Sequence, residues 1–323
     1  MALTRVYRDG VLVEENFPVE QVSDYLQDPA TTVWLDFCEP TEDDLASIRE
    51  ELGLHALAVE DAAEEHQRPK FDRYDTHSFL IAYSAHFDVD TGMVTKSELA
   101  AFVTKQALVT VRKDDGFDIE AVAQRWDASA DLAKSGVAFL LHGLLDYIVD
   151  GHFDSVQALD DQIEALEDLV FDERPDQREL QRRSFRLRKS LTALRRVVLP
   201  MREVVNTVMR RDQHLVDSVM MPYFQDVYDH VLRASEWTES LRDLVATVRE
   251  TQLNLQGNRL NTIMKKVTSW AAIIAVPTAV TGFYGQNVPY PGFQATSGFW
   301  VSTVAIVLLS VGLYASFKRR DWL

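Results

Sequence analysis

The chain has one cysteine, Cys38, in 323 residues, which leaves no partner for an intrachain disulfide and no thiolate set for a structural zinc site. Basic residues are also scarce: 33 Lys and Arg face 50 Asp and Glu, a formal charge of −17. That balance argues against nucleic acid as the main partner, because phosphate binding needs clustered cations. No G-x-G-x-x-G or G-x-x-x-x-G-K-[ST] loop occurs, no serine sits in G-x-S-x-G, and no two histidines stand four apart. An enzyme reading therefore lacks a catalytic constellation. The opening MALTRVYRDGVLVEENF carries charges throughout, so no signal peptide is expected.

The most informative absence is of charge. Between Lys266 and Lys318 lie 51 residues without one Asp, Glu, Lys, Arg or His. Two apolar runs, Val267 to Tyr284 and Phe299 to Phe317, flank a loop rich in Gly, Pro and Asn. Each run approaches the ~20 residues a helix needs to cross a bilayer core, so two transmembrane helices are predicted over a buried hairpin in a soluble core. Arg259, Lys265 and Lys266 precede the first run, and Lys318, Arg319 and Arg320 follow the second. The positive-inside rule places both ends in the cytoplasm, where a lone reduced cysteine is at home.

The two spans differ. The second is bulky, with Val304 to Leu309 at its centre and Trp300 and Tyr314 near its ends. The first holds Pro277, and Thr268, Ala271, Ala275, Thr278 and Gly282 recur on one face at three- or four-residue steps. Such a face either packs helices closely or lines a polar path, and both readings stand at this point. Two helices cannot enclose water, so conduction would require a homo-oligomer.

Before the membrane, Thr31 to Phe37, Ser78 to Phe87 and Leu108 to Val111 read as strands, while Thr41 to Leu52 and His55 to Glu65 read as helices. From Asp36 to Glu65 there are eleven acidic residues and one basic residue, which by itself describes a solvated face. Beyond 135 the chain reads as long helices. An acidic block, Ser135 to Glu173, and an arginine-rich block, Arg178 to Arg211, are separated by a turn at Glu173-Arg174-Pro175-Asp176. An antiparallel pair would bring the two sign blocks together. A further helix from about Pro222 meets no strong breaker until Gly257, then continues through Lys266, and if unbroken to Tyr284 it would span roughly 90 Å. One helix would then serve as stalk and as path-lining element.

Tyr284-Gly285-Gln286-Asn287 resembles the Tyr-Gly-Met-Asn signature of the CorA family of divalent-cation channels. His66-Gln67-Arg68-Pro69-Lys70, the segment Tyr223 to His230, and Asn258-Arg259-Leu260-Asn261 followed by Met264-Lys265 are similar to further family segments in the same order. The resemblance implies an α+β fold with an N-terminal α/β cytoplasmic domain (1–134) and a long-helix funnel and stalk (135–266). A transmembrane hairpin (spans about 267–285 and 299–317, outer loop 286–298) and a basic cytoplasmic tail (318–323) would follow. It also implies a homopentamer in the inner (plasma) membrane that admits Mg²⁺, with Co²⁺ and Ni²⁺ as further candidates. Gly285, Gln286 and Asn287 would form the selectivity ring, and Asn261, Met264, Val267 and Thr278, with the small face at Ala271, Ala275 and Gly282, would line the pore.

The resemblance adds regulation: cytoplasmic Mg²⁺ between protomers would hold the channel closed, with Asp88 and Asp226 at the matching positions. No cofactor is expected beyond Mg²⁺ as substrate and regulatory ligand. Gln286 in place of Met, and a loop from Val288 to Gly298 without an acidic residue, depart from the family pattern and bear on ion choice. The alternatives are a ZntB-like Zn²⁺ transporter of the same fold and a membrane-anchored scaffold without transport.

Overall fold

The computed structural model describes residues 2–172, 176–211, 215–286, 288–290 and 292–323, with Ala130 and Arg211 in their backbone alone. The expected turn at Glu173, Arg174 and Pro175 lies outside the described residues, as does Asn287. The elements run β1 (Leu3–Arg8), β2 (Val11–Glu15), α1 (Val22–Tyr25), β3 (Thr31–Cys38), α2 (Glu42–Leu52), α3 (Ala56–Ala63), β4 (Lys70–Arg73), β5 (Ser78–Asp88), β6 (Met93–Val103) and β7 (Ala107–Arg112). Helices α4 (Ile119–Asp127), α5 (Ala130–Ala133), α6 (Val137–Phe171), α7 (Gln177–Arg211), α8 (Met221–Tyr284) and α9 (Thr296–Arg319) complete the chain.

The chain divides into two compact units, Met1–Thr247 and Val248–Leu323. In the first, seven strands form one sheet in the order β2-β1-β3-β7-β6-β5-β4. Only β3 and β7 pair in parallel. Its central strands are buried on both faces, which is why TTVWLDF and SFLIAYSAHF read as near-continuous apolar runs. One face carries Trp34, Leu80, Leu99 and Leu108, which join a core with Trp126 of α4, Leu144 of α6, Val205 of α7 and Phe224 of α8. The alternate residues Leu35, Phe79, Phe102 and Val109 are fully buried on the other face.

A buried ion pair pins the centre of the sheet. Asp36 is 2 % exposed on β3 and accepts from Arg112 Nη2 (2.7 Å) and from the Thr110 hydroxyl (2.6 Å) on β7. The four bonds around this carboxylate satisfy what would otherwise be an expensive buried charge.

Helices α6 and α7 pack together, as the sign blocks suggest, but no ion pair joins them among the described residues. Among the described residues the ion pairs of α7 run within the helix, Arg183 to Glu179, and across to α8, Arg195 to Glu239 at 2.6 Å. Helices α6 and α7 instead share an apolar seam, with Ile163, Leu166, Leu187 and Leu194 buried. Area removed from water outweighs exposed ion pairs, so the hydrophobic stripe sets the partners.

In the second unit, α8 continues unbroken through Gly257, where an added Cβ would meet nothing within 4 Å. Helices α8 and α9 are long and apolar enough to cross a membrane, and only 6 % of the apolar window of each is buried. A core hairpin would be mostly buried, so that reading fails.

Candidate ion path and metal-binding clusters

The apolar part of α8 exposes Asn261, Met264, Val267, Ala271, Ala275, Thr278 and Gly282. They recur at steps of three and four, so they share one face of the helix. Pro277 has no N–H, which leaves the carbonyl of Ile273 without its helical donor. Nearby hydroxyls turn inward: Thr278 Oγ1 donates to Ile274 O at 3.1 Å and Thr281 Oγ1 to Pro277 O at 2.8 Å. With their protons spent on the backbone, these oxygens keep only lone pairs for anything outside the helix.

The helix closes at Gly285, whose N–H donates to Thr281 O at 2.8 Å. An added Cβ there would stand 3.0 Å from the same carbonyl, so glycine fits the tight final turn without displacing it. Gln286 is exposed and donates its N–H to Phe283 O. The loop beyond is tied back by Tyr290, whose hydroxyl donates to Tyr284 O at 2.7 Å and whose ring stacks edge-on with Tyr284 and Phe293. At the other end of the face, Trp322 stacks on Phe317 and closes a cavity of about 520 Å³ with Asn258, Asn261, Met264, Lys265 and Thr268.

In the first unit, Asp88 ends β5 and holds the β5–β6 hairpin together. Its carboxylate accepts from the Thr91 hydroxyl (2.8 Å) and the Asp90 amide (2.9 Å). The Thr91 bonds, then that of Asp90, hold its carboxyl below the usual range. Asp226 lies on α8, exposed, 3.9 Å from His230 one turn on. The two aspartates line no common cavity and share no bond among the described residues.

Asp226 instead borders a cavity of about 440 Å³ with Arg125, Trp126, His142, Asp146 and Tyr223. Beside it, Asp146 and Asp150 of α6 and His230 of α8 bring ligand atoms within 4.8 Å of one another. Two carboxylates and an imidazole suit a divalent first-row metal. Arg125 of α4 already occupies the place of a cation, 2.9 Å from Asp150 and 3.6 Å from Asp146. Burial and the Asp150 charge push the Asp146 carboxyl up, while burial pushes the His142 imidazole down. This cluster escaped the sequence reading, which sought paired histidines. The residues four apart here are Asp146 with Asp150 and His142 with Asp146 on α6, and Asp226 with His230 on α8, while α4 supplies the counter-charge.

The sequence model of the family described as CorA-like Mg²⁺ transporter protein matches residues 29–319, nearly the whole chain. The chain belongs to the CorA family. It is 27 % identical to the cobalt/magnesium transport protein CorA of Thermotoga maritima, covering 100 % of this chain and 95 % of that one. The solved CorA magnesium transporter of Methanocaldococcus jannaschii superposes with a TM-score of 0.77 at 22 % identity, over 100 % and 99 % of the two chains. The cytoplasmic domain of ZntB from Vibrio parahaemolyticus also matches, with a TM-score of 0.63 at 13 % identity, over 79 % of this chain and 98 % of its own. The expected α+β architecture and family membership are thus borne out.

Proposed function

We propose that this CorA-family protein is a divalent-cation channel for Mg²⁺, with Co²⁺ and Ni²⁺ as secondary ions, and not an enzyme. Five copies would surround the exposed α8 face, in the plasma membrane with both termini in the cytoplasm. The observation that carries the reading is an uncharged, exposed, small-residue face on a helix that belongs, by family, to a cation transporter. Mg²⁺ holds its water shell tightly. A ring of Asn287 side-chain oxygens beside Gly285 and Gln286 would bond to that shell without stripping it. Threonine oxygens with only lone pairs to offer suit the hydrogens of coordinated water. Met264 and Val267, both exposed and apolar, would form a constriction that closes by dewetting.

Feedback would come from Mg²⁺ bridging Asp88 of one protomer and Asp226 of the next. Their separation within one chain accords with a site completed only by a neighbour. Beyond ions and lipid, no cofactor and no nucleic-acid partner belongs to this reading. The ZntB-like alternative draws on Gln286 and the uncharged loop Val288 to Gly298, which depart from the Mg²⁺ pattern.

The test is flux into proteoliposomes of purified protein, comparing Mg²⁺, Co²⁺, Ni²⁺ and Zn²⁺ with and without a pH gradient. Mg²⁺ entry driven by voltage alone supports the channel. Zn²⁺ entry that requires protons supports the alternative, and no flux of any ion leaves only the scaffold.

A further inference from the structure

The cavity of about 520 Å³ at Trp322 is built by the way α9 ends. Arg320 caps the helix and Asp321 turns left-handed at φ 55. Trp322 then donates its N–H back to Phe317 O at 3.0 Å, and Asp321 donates to Lys318 O at 3.4 Å. This is a Schellman motif, and its apolar contact is the Trp322 ring stacked on Phe317 with centroids 5.6 Å apart. The turn folds the indole back so that it becomes a wall of the cavity. On the other side, α8 supplies Asn258, Thr262 and Lys265, at steps of four and three and so on one face. That face is turned away from Val267, Ala271 and Thr278 of the ion path.

The cavity straddles a boundary. Its α8 wall runs from Asn258 to Thr268, and the charge-free stretch of the helix begins at Val267. From Arg259 onward the chain carries six basic residues and one acidic residue, although its overall charge is −17. Lys265 forms no ion pair among the described residues, and neither do Lys266, Arg319 and Arg320. Lys318 lies over the Tyr314 ring at 5.9 Å. Thr262 Oγ1 spends its proton on Asn258 O at 3.0 Å, which leaves lone pairs for a hydroxyl donor. The side-chain amides of Asn258 and Asn261 add both donors and acceptors. A basic pocket beside spanning helices, walled by an aromatic ring, has the chemistry of a phospholipid headgroup site.

We propose that this cavity seats the headgroup of an anionic phospholipid with free hydroxyls, phosphatidylglycerol being the simplest, in the leaflet that faces the cytoplasmic body. The phosphate would lie on Lys265, the glycerol hydroxyls on Thr262 and Asn258, and the acyl chains along the apolar surface beyond Thr268. A soluble phosphate offers no chains to that surface, and a zwitterionic headgroup would bring a second cation against Lys265. The inference rests on the membrane placement of α8 and α9 given above, but not on which ion is carried.

The test is native mass spectrometry and thermal unfolding of the full-length protein in detergent, titrated with phosphatidylglycerol, phosphatidylcholine and sn-glycerol 3-phosphate. Phosphatidylglycerol should bind about tenfold tighter than phosphatidylcholine, and sn-glycerol 3-phosphate should not displace it. Lys265→Gln should remove that preference. Lys266→Gln, an equal loss of charge about 100° round the helix and outside the cavity, should keep most of it. Both lysines are exposed, so neither change should move the lipid-free melting temperature. Trp322→Ala removes a wall of the cavity and should also weaken phosphatidylglycerol binding, with the lipid-free melting curve as the check on folding. No preference for phosphatidylglycerol, equal loss in the two lysine variants, or displacement by sn-glycerol 3-phosphate overturns the proposal. Lipid binding is read here without ion flux, so its failure is distinct from a failure of the transport reading.

Discussion

Arg125→Ala tests whether the Asp146, Asp150 and His230 cluster is a metal site held shut by an arginine. Its guanidinium bonds Asp150 at 2.9 Å, approaches Asp146 at 3.6 Å, and lies over the Tyr147 ring at 4.9 Å. These groups are partly solvated, so each ion pair is worth about 0.2–1 kcal/mol and the ring contact about 0.5–1. The metal-free variant should therefore lose about 1–3 kcal/mol, or roughly 2–12 °C in melting temperature. Removing the guanidinium leaves two carboxylates and an imidazole with ligand atoms within 4.8 Å and no counter-charge. Co²⁺ at a hundred times its dissociation constant would then return about 2.7 kcal/mol, a rise of roughly 5–11 °C. The wild type should rise less at this site, because the ion must first displace Arg125.

The assay is thermal unfolding by tryptophan fluorescence in detergent, titrating Co²⁺ from EDTA, on wild type, Arg125→Ala, and Arg125→Ala with Asp150→Asn. Any stabilisation arising at Asp88 and Asp226 is common to all three and cancels in the comparison. If Arg125→Ala gains no more than the wild type, or keeps its gain without Asp150, the cluster is an ordinary ion-pair network.

Asn287→Ala should abolish Mg²⁺ flux into proteoliposomes while leaving assembly on size exclusion unchanged; undiminished flux removes Asn287 from the selectivity ring. Asp36→Ala strands the Arg112 charge in the sheet and should cost about 3–5 kcal/mol, whereas Asp36→Leu with Arg112→Met should recover much of it, both read by denaturant midpoints. His152 is 1 % exposed, its Nε2 lies 2.7 Å from Tyr83 O, and burial pushes it from 6.5 down to about 4. The unfolded chain then takes up a proton before the folded one does. Stability is full above pH 6.5 and falls by roughly 3 kcal/mol as pH drops to about 4. His152→Gln should flatten that part of the acid curve, and an unchanged slope would refute the assignment.

The sequence showed most plainly the elements whose pattern is uniform. Strands β3 and β5 announced themselves because both faces are buried, and α8 because no strong breaker lies between Pro222 and Gly257, where no neighbour crowds the helix. Strand β6 escaped because its first half, MVTKS, is only partly buried and mixed in polarity, while its second half enters the core. Strands β1, β2 and β4 are short, of six, five and four residues, and carry little pattern. The α6–α7 sign blocks pointed to the right partners but not to what joins them, because formal charge is more visible in a sequence than an apolar seam. Asp88 was placed by resemblance, and its grip on the hairpin could not be read from one residue. The Arg125 cluster draws on α4, α6 and α8, so the spacing of four between Asp146 and Asp150 is all of it that one segment of the chain carries.

Exposure alone does not say which surface of the hairpin meets lipid and which meets another copy. Val304, Val307, Leu308 and Val311 of α9 are as exposed as Ala271, Ala275, Thr278 and Gly282 of α8. Hydroxyl content does not decide it either. On α9, Ser302 and Thr303 donate to Phe299 O in the same backward fashion as Thr278 does on α8. What differs is the volume beyond the backbone. A face of Ala, Gly and Thr lets helices approach closely and gains dispersion contacts that lipid chains would not supply, whereas branched side chains lose little by facing acyl chains. On the proposed reading, the α8 face therefore turns toward other copies and the α9 face toward the bilayer. Leucine at both Ala271 and Ala275 should then weaken assembly in detergent far more than alanine at both Val307 and Leu308. The reverse ranking would move the ion path off α8.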